Sequence, residues 1–268
     1  MKKRTFTRAL ACSLAAALLA CCTGCSAGIA ALRGAARAAN SSKAELSAAV
    51  SSPSIQGSTA ASVLVGTGNV SIRAGSGGGA AVKADCRVTK AAEPTAKTIL
   101  AQAVLAVSPR NGTLVITVDD RSGGSIWDWM KKNYPKAQFE ADLDITLPAA
   151  VSSFSVQDGV GDVALTGLSG PVNIEDGVGD VALHSPVLSG ESTISAGVGD
   201  VALAFTSKQK AGSLRAESGV GDIRVTASGV SVRSAGKAGG FTGGTAGAAV
   251  DGGLQMTLTA GVGSIKLP

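Results

Sequence analysis

Four Gly-Val-Gly-Asp tetrapeptides, beginning at Gly159, Gly177, Gly197 and Gly219, set carboxylates at Asp162, Asp180, Asp200 and Asp222. Asp158 and Asp176 stand just before the first two. Carboxylates that recur at a structural period form a row, and like charges closer than a Debye length repel. Such a row either accepts backbone N–H groups at a turn or gathers a cation. The Ca²⁺-binding rolls use a Gly-Gly-x-Gly-x-Asp unit in a tandem of about nine residues, and neither that unit nor that period occurs here. No metal is therefore expected, and Asp serves as a corner hydrogen-bonder. A Ca²⁺ row on Asp162, Asp180, Asp200 and Asp222 is the alternative.

Other chemical motifs fail on context. Gly159–Ala164 and its two successors fit G-x-G-x-x-A, but a dinucleotide fingerprint must open a helix, and β-type alternation follows each of these. The single histidine, His184, rules out a two-histidine zinc site, and the alternation puts it on a solvent face opposite Leu183. Cys22-Thr23-Gly24-Cys25 lacks the strand and helix of a redox motif, and Gly24-Cys25-Ser26-Ala27-Gly28 is no nucleophile elbow in that setting. No catalytic residue and no cofactor is expected. Cys86 reads as a small buried hydrophobe.

The elements that hold the carboxylates come from the repeat itself. Spacings of 18, 20 and 22 residues separate the four units, Gly261-Val262-Gly263-Ser264 follows 42 residues later, and Gly66-Thr67-Gly68-Asn69 is a degenerate copy. Each unit precedes an alternating pair such as Val163/Leu165 or Val181/Leu183, and follows an apolar residue such as Val156, Ile174 or Ile194. Each period thus reads as strand, glycine corner, strand, loop. A unit of this size cannot bury its apolar face alone, so successive copies must stack. The expected fold is all-β, a single-stranded right-handed β-helix (β-solenoid) with coils of about 20 residues. Segments 62–73, 80–89, 98–107, 113–119 and 142–147 read as further strands, and 236–253 as a degenerate glycine-rich coil.

The composition agrees. Thirty-six glycines and only eight aromatic residues among 268 suit a slim core of small and β-branched side chains. The formal charge of +5 owes four cations to Lys2, Lys3, Arg4 and Arg8, leaving 20 basic against 19 acidic residues after position 24. Near-balance argues against nucleic acid as a partner.

Residues 1–24 read as a lipoprotein-type signal peptide, with a basic start and a 12-residue apolar run over 9–20. Leu18-Leu19-Ala20-Cys21 and Cys22-Thr23-Gly24-Cys25 both resemble a lipobox. Cys25 is favoured for acylation by its small neighbours and Ser26, with Cys21 as the alternative. Residues 25–60, rich in Ala and Ser, read as a flexible tether, and 61–268 as the folded domain. The implied place is outside the cytoplasm, at the cell envelope, as an outer-membrane lipoprotein facing the periplasm or the exterior. Its N-terminal lipid would be its contact with the membrane.

The segment 121–140 interrupts the strand pattern and gathers Trp127, Trp129, Lys131, Lys132 and Tyr134. It reads as a cap over an open sheet edge or as an aromatic-basic contact for a partner.

The segment 63–72 (VLVGTGNVSI), Asp144-Ile145-Thr146-Leu147-Pro148 and the serial GVGDVAL units resemble the bacterial "putative adhesin" family of domains of unknown function, over about residues 60–268. The resemblance implies a right-handed β-helix on an exported protein and carries no catalytic residues. The function expected is a non-enzymatic, adhesin-like binding or structural module with a surface glycan or protein as partner. The alternatives are a carbohydrate-active β-helix enzyme resembling polysaccharide lyases, or a regulatory or structural partner in the envelope.

Overall fold

The computed structural model describes residues 57–234 and 243–268, together with the backbone of 32–34, 37–38, 43–50 and 241–242. The expected signal peptide, Cys21 and Cys25 lie outside the described residues. No helix among the described residues is long and apolar enough to cross a membrane.

The first part of the chain forms β1 (Leu32–Gly34), β2 (Arg37–Ala38), β3 (Lys43–Val50), β4 (Ala60–Val65), β5 (Val70–Gly75) and β6 (Ala80–Thr89). Helix α1 (Glu93–Gln102), β7 (Val104–Arg110), β8 (Thr113–Asp119), helix α2 (Ile126–Asn133) and β9 (Gln138–Pro148) follow. The repeats form strand pairs: β10 (Ser153–Val160) with β11 (Val163–Thr166), β12 (Val172–Val178) with β13 (Val181–His184), β14 (Gly190–Val198) with β15 (Val201–Phe205), and β16 (Gly212–Val220) with β17 (Ile223–Ala227). The chain closes with β18 (Val232–Ser234), β19 (Phe241–Val250) and β20 (Leu254–Lys266).

Two parallel ladders organise the repeats. In the first, β8, β4, β10, β12, β14, β16 and β20 lie side by side. In the second, β9, β5, β11, β13, β15, β17 and the end of β20 do the same. Copies meet in register, so Val156 pairs with Ile174 and Ile174 with Ile194. Period-2 alternation then sends Val163, Leu165, Val181, Leu183, Val201 and Leu203 inward, where each is at most 1% exposed.

The glycine corners make this spacing possible. A Cβ on Gly159, Gly177, Gly197, Gly219 or Gly261 would lie 2.5 Å from the carbonyl oxygen of the equivalent glycine one repeat earlier. The second glycine of each corner has positive φ, from 143° at Gly263 to 157° at Gly179. The valine between them projects outward, and Val160, Val178, Val198, Val220 and Val262 form an exposed row.

The architecture is all-β, but it corrects the single-stranded right-handed β-helix. Such a helix pairs every strand parallel to its copy in the next coil. Here β6 runs antiparallel to β9 and β3, β7 to β8 and β1, and β19 to β18 and β20. Together with the parallel ladders they make a nearly closed, barrel-like mixed sheet. The physical cause is connection length. β7 and β8 are joined by Asn111 and Gly112, whose φ values of 49° and 78° fit a two-residue hairpin, and short links permit only antiparallel neighbours.

Two smaller expectations also change. Residues 98–102, read as strand, belong to α1, which Pro94 helps to open in its first turn. Residues 43–50, within the segment expected to be a tether, are β3 on the edge of β6.

Candidate functional site

The aspartate row is built, and its carboxylates are already used. Asp142 Oδ1 accepts from Asn69 N (2.8 Å) and Nδ2 (3.0 Å), and Asn69 Oδ1 accepts from Asp162 N (2.9 Å). Asp162 Oδ1 then accepts from Asp180 N at 2.9 Å, Asp180 from Asp200 N at 2.8 Å, and Asp200 from Asp222 N at 2.7 Å. Asp222 Oδ1 ends the chain by accepting from Ser264 N (2.7 Å) and Oγ (2.8 Å). Each side chain thus satisfies a backbone donor one repeat further on, which local turn chemistry would not have required. The pattern explains the departures from Asp: Asn69 keeps the acceptor, and Ser264, last in the row, has no later repeat to serve. A hydrogen bond from Lys266 Nζ at 2.8 Å, with those from Ser264, holds the Asp222 carboxyl well below the usual carboxylate range. Among the described residues no group of three metal-ligating side chains could hold an ion.

The stronger candidate lies where α2 covers the first ladder. Asp120 shapes the approach: its Oδ1 accepts from Ser122 N (2.7 Å), Ser122 Oγ (2.6 Å) and Gly124 N (3.1 Å). Those bonds, the Ser122 hydroxyl first, lower its carboxyl pKa. The chain then enters α2 with Ser125 at the N-cap, where Oγ accepts from Asp128 N at 3.4 Å. Ile126 and Met130, one turn apart, bury the inner face of the helix.

This docking fixes Trp127. Its ring covers Gly66 so closely that a Cβ there would meet the indole at 2.7 Å. Its Nε1 donates to Phe139 O at 3.2 Å, and its ring meets Phe139 edge-on, with centroids 5.6 Å apart and planes at 80°. Between Trp127 and the outward face of the ladder runs a cleft of about 490 Å³. Thr117, Leu64 and Gln157 are register partners on three adjacent strands and line its floor. Asp119, Asp128 and the largely buried Asp158 also line it. Gln157 Nε2 donates to Glu175 Oε2 at 3.2 Å, continuing the polar row, and Leu64 is 39% exposed.

The five aromatic and basic residues picked from the sequence do not form one surface. Trp127 faces the cleft. Trp129 and Tyr134 pair with each other, centroids 5.6 Å apart, and pack partly buried against the core. Tyr134 also lines a separate depression of about 410 Å³ with Lys90 and Lys136. Lys131 and Lys132 are exposed in the last turn of α2. Sequence reasoning missed Leu64, Asp119, Asp128 and Gln157. The outward positions of β4 and β10 carried the signal, since Leu64 is a large apolar residue on the solvent side of an alternating strand.

His184 is exposed at the end of β13. Cys86 is 2% exposed, and burial, with Asp85 and Asp142 nearby, pushes its thiol up to about 12.

No protein-family model and no curated protein matches the chain. Among solved structures it is similar to that of a "putative cell adhesion protein" from Clostridium sporogenes. The two share 13% identity over 83% of this chain and 97% of the other, with a TM-score of 0.44. A likeness at that level carries no functional argument.

Proposed function

We propose that this chain is a non-enzymatic, adhesin-like binding module of the bacterial cell envelope, and that it takes a saccharide in the cleft beneath Trp127. The observation that carries the reading is the cleft's make-up. An indole wall stands beside an amide and three aspartates, Asp119, Asp128 and the largely buried Asp158; no cation lines the space, and all these groups sit on a rigid sheet and a docked helix. Sugars present apolar C–H faces to aromatic rings and hydroxyls to carboxylate and amide groups, whereas an anionic ligand would meet Asp119 and Asp128 unfavourably. The envelope location rests on the N-terminal sequence and the lipid on Cys25. Metabolic labelling with palmitate, lost on Cys25→Ser, is its test; label retained in that variant and lost on Cys21→Ser would move the anchor to Cys21.

The purified chain on a glycan array tests the binding. Neutral or amino sugars are expected among the ligands. Asp128→Ala combined with Gln157→Ala should weaken binding roughly tenfold or more, the loss of two polar contacts at about 1 kcal/mol each. Both residues are on the cleft surface, so the fold should persist. An array without ligands, or a bound oligosaccharide that is cleaved, would overturn the reading, the second result in favour of an enzyme.

A further inference from the structure

In each repeat the residue before the first corner glycine turns inward, and register fixes the row as Val65, Asp158, Asp176, Ala196, Ser218 and Ala260. Two of these are carboxylates. Asp158 and Asp176 are 6% and 5% exposed, and none of their four oxygens has a hydrogen-bond partner. An unpaired buried carboxylate is costly, and two in adjacent positions are more so.

Ser218 shows what this position does in its own repeat. Its Oγ donates to Gly199 O at 2.8 Å. A Cβ placed on Gly221 would lie 2.1 Å from that carbonyl oxygen and 2.9 Å from Ser218 Oγ. The corner at Asp158 repeats the arrangement, because a Cβ on Gly161 would lie 2.1 Å from Gly68 O and 2.9 Å from Asp158 Oδ2. At Asp176 the corresponding distances from Gly179 are 1.8 Å to Gly161 O and 3.2 Å to Oδ2. Each carboxyl oxygen Oδ2 thus stands about as close to its corner as the Ser218 hydroxyl, which donates to a carbonyl, stands to its own. An ionised carboxylate can only accept, but a protonated one has an O–H to give.

We propose that Asp158 and Asp176 are proton-binding sites: in the folded chain each is a carboxylic acid whose O–H donates to the carbonyl oxygen of Gly68 or Gly161, and loss of these protons loosens the corner. The surroundings agree. Burial raises Asp158 to about 7 and Asp176 to about 6. The charges acting on Asp158 are Asp176 and Asp162, and those on Asp176 are Asp162 and Asp180, all carboxylates. The flanking strands β4 and β14 present neutral Val65 and Ala196 to the row. The N–H groups of Gly159, Val160, Gly177 and Val178 favour the ionised forms but stand outside hydrogen-bond geometry.

Both acids bind protons more tightly folded than unfolded, where an aspartate titrates near its ordinary value of 3.8. Their contribution to stability is full below that value, declines as pH rises towards 7, and is absent above it. The pair is coupled, so its two protons leave in steps that belong to both residues. Asp222 and Asp120, whose pKa values are lowered, act in the opposite sense but below the ordinary carboxylate range, outside this window. Asp158 itself lines the cleft together with Gln157 and Gly159, although the inference does not depend on what the cleft binds.

Thermal melts of the full chain at about pH 5 and pH 8 provide the test. The wild-type Tm should fall by roughly 5–10 °C between them. Asp158→Asn with Asp176→Asn supplies permanent donors and should lose at least half of that fall, melting above the wild type at the higher pH. Asp158→Ser with Asp176→Ser, which copies Ser218, should behave alike. A wild-type Tm that does not fall, variants with the full wild-type slope, or failure of both variants to fold would overturn the proposal. Millimolar Ca²⁺ that restores the wild type at pH 8 but not the variants would also overturn it, by showing that the site takes a metal cation.

Discussion

Gly179→Ala is expected to destabilise the fold by about 4 kcal/mol or more, a range reached only by a named steric or burial defect. The new methyl group would stand 1.8 Å from Gly161 O, at a residue with φ of 157°. Neither atom can yield. Gly179 N donates to Val198 O on one side, and Gly161 N donates to Val178 O on the other, so movement at the corner breaks ladder bonds. The matched control is Gly77→Ala, where a Cβ meets nothing within 4 Å, and its cost should stay within about 0.5 kcal/mol. Urea unfolding of both variants measures the difference. Equal midpoints would mean that the corners are not closely stacked as described.

Phe154→Ala should cost about 3–5 kcal/mol, the usual loss for a buried phenylalanine. The ring is 3% exposed, and its register partners are Ala61 on β4 and Val172 on β12. One large side chain therefore fills the width that its two small neighbours leave open. Truncation makes three small residues in a row, and hydrogen-bonded strands cannot move together to close the gap. A fall in the urea midpoint with an unchanged slope is the expected signature. A loss below about 1 kcal/mol would show that the interior collapses around the site.

The repeat region was legible because its signal is periodic. Val163/Leu165, Val181/Leu183 and their successors alternate, and the corner glycines mark where each strand pair bends. Even Gly66-Thr67-Gly68-Asn69 keeps its place, since Asn69 continues the carboxylate row. The antiparallel parts do not follow from the repeat, although one carries a local signal: Asn111-Gly112 between two alternating runs is a hairpin mark. The α1 segment departs from the strand reading because the true strand begins only at Val104, whereas Ile99, Leu100 and Ala101 are consecutive apolar residues and Pro94 favours a helix start. For the site, the sequence put Trp127 in the right segment and grouped it with residues that pack elsewhere. It could not tell Asp158 from Asp162. They are four residues apart, yet the glycine corner between them turns one inward and leaves the other at the surface.

The two tryptophans report separately on saccharide binding, because Trp127 faces the cleft and Trp129 packs beside Tyr134. Each indole N–H gives its own resonance in a nitrogen–proton NMR spectrum, and an array-selected oligosaccharide can be titrated against both. Saccharide binding in the cleft should move the Trp127 signal saturably and leave that of Trp129 in place. A saturable shift of Trp129 alone, or binding that moves neither signal, would contradict it.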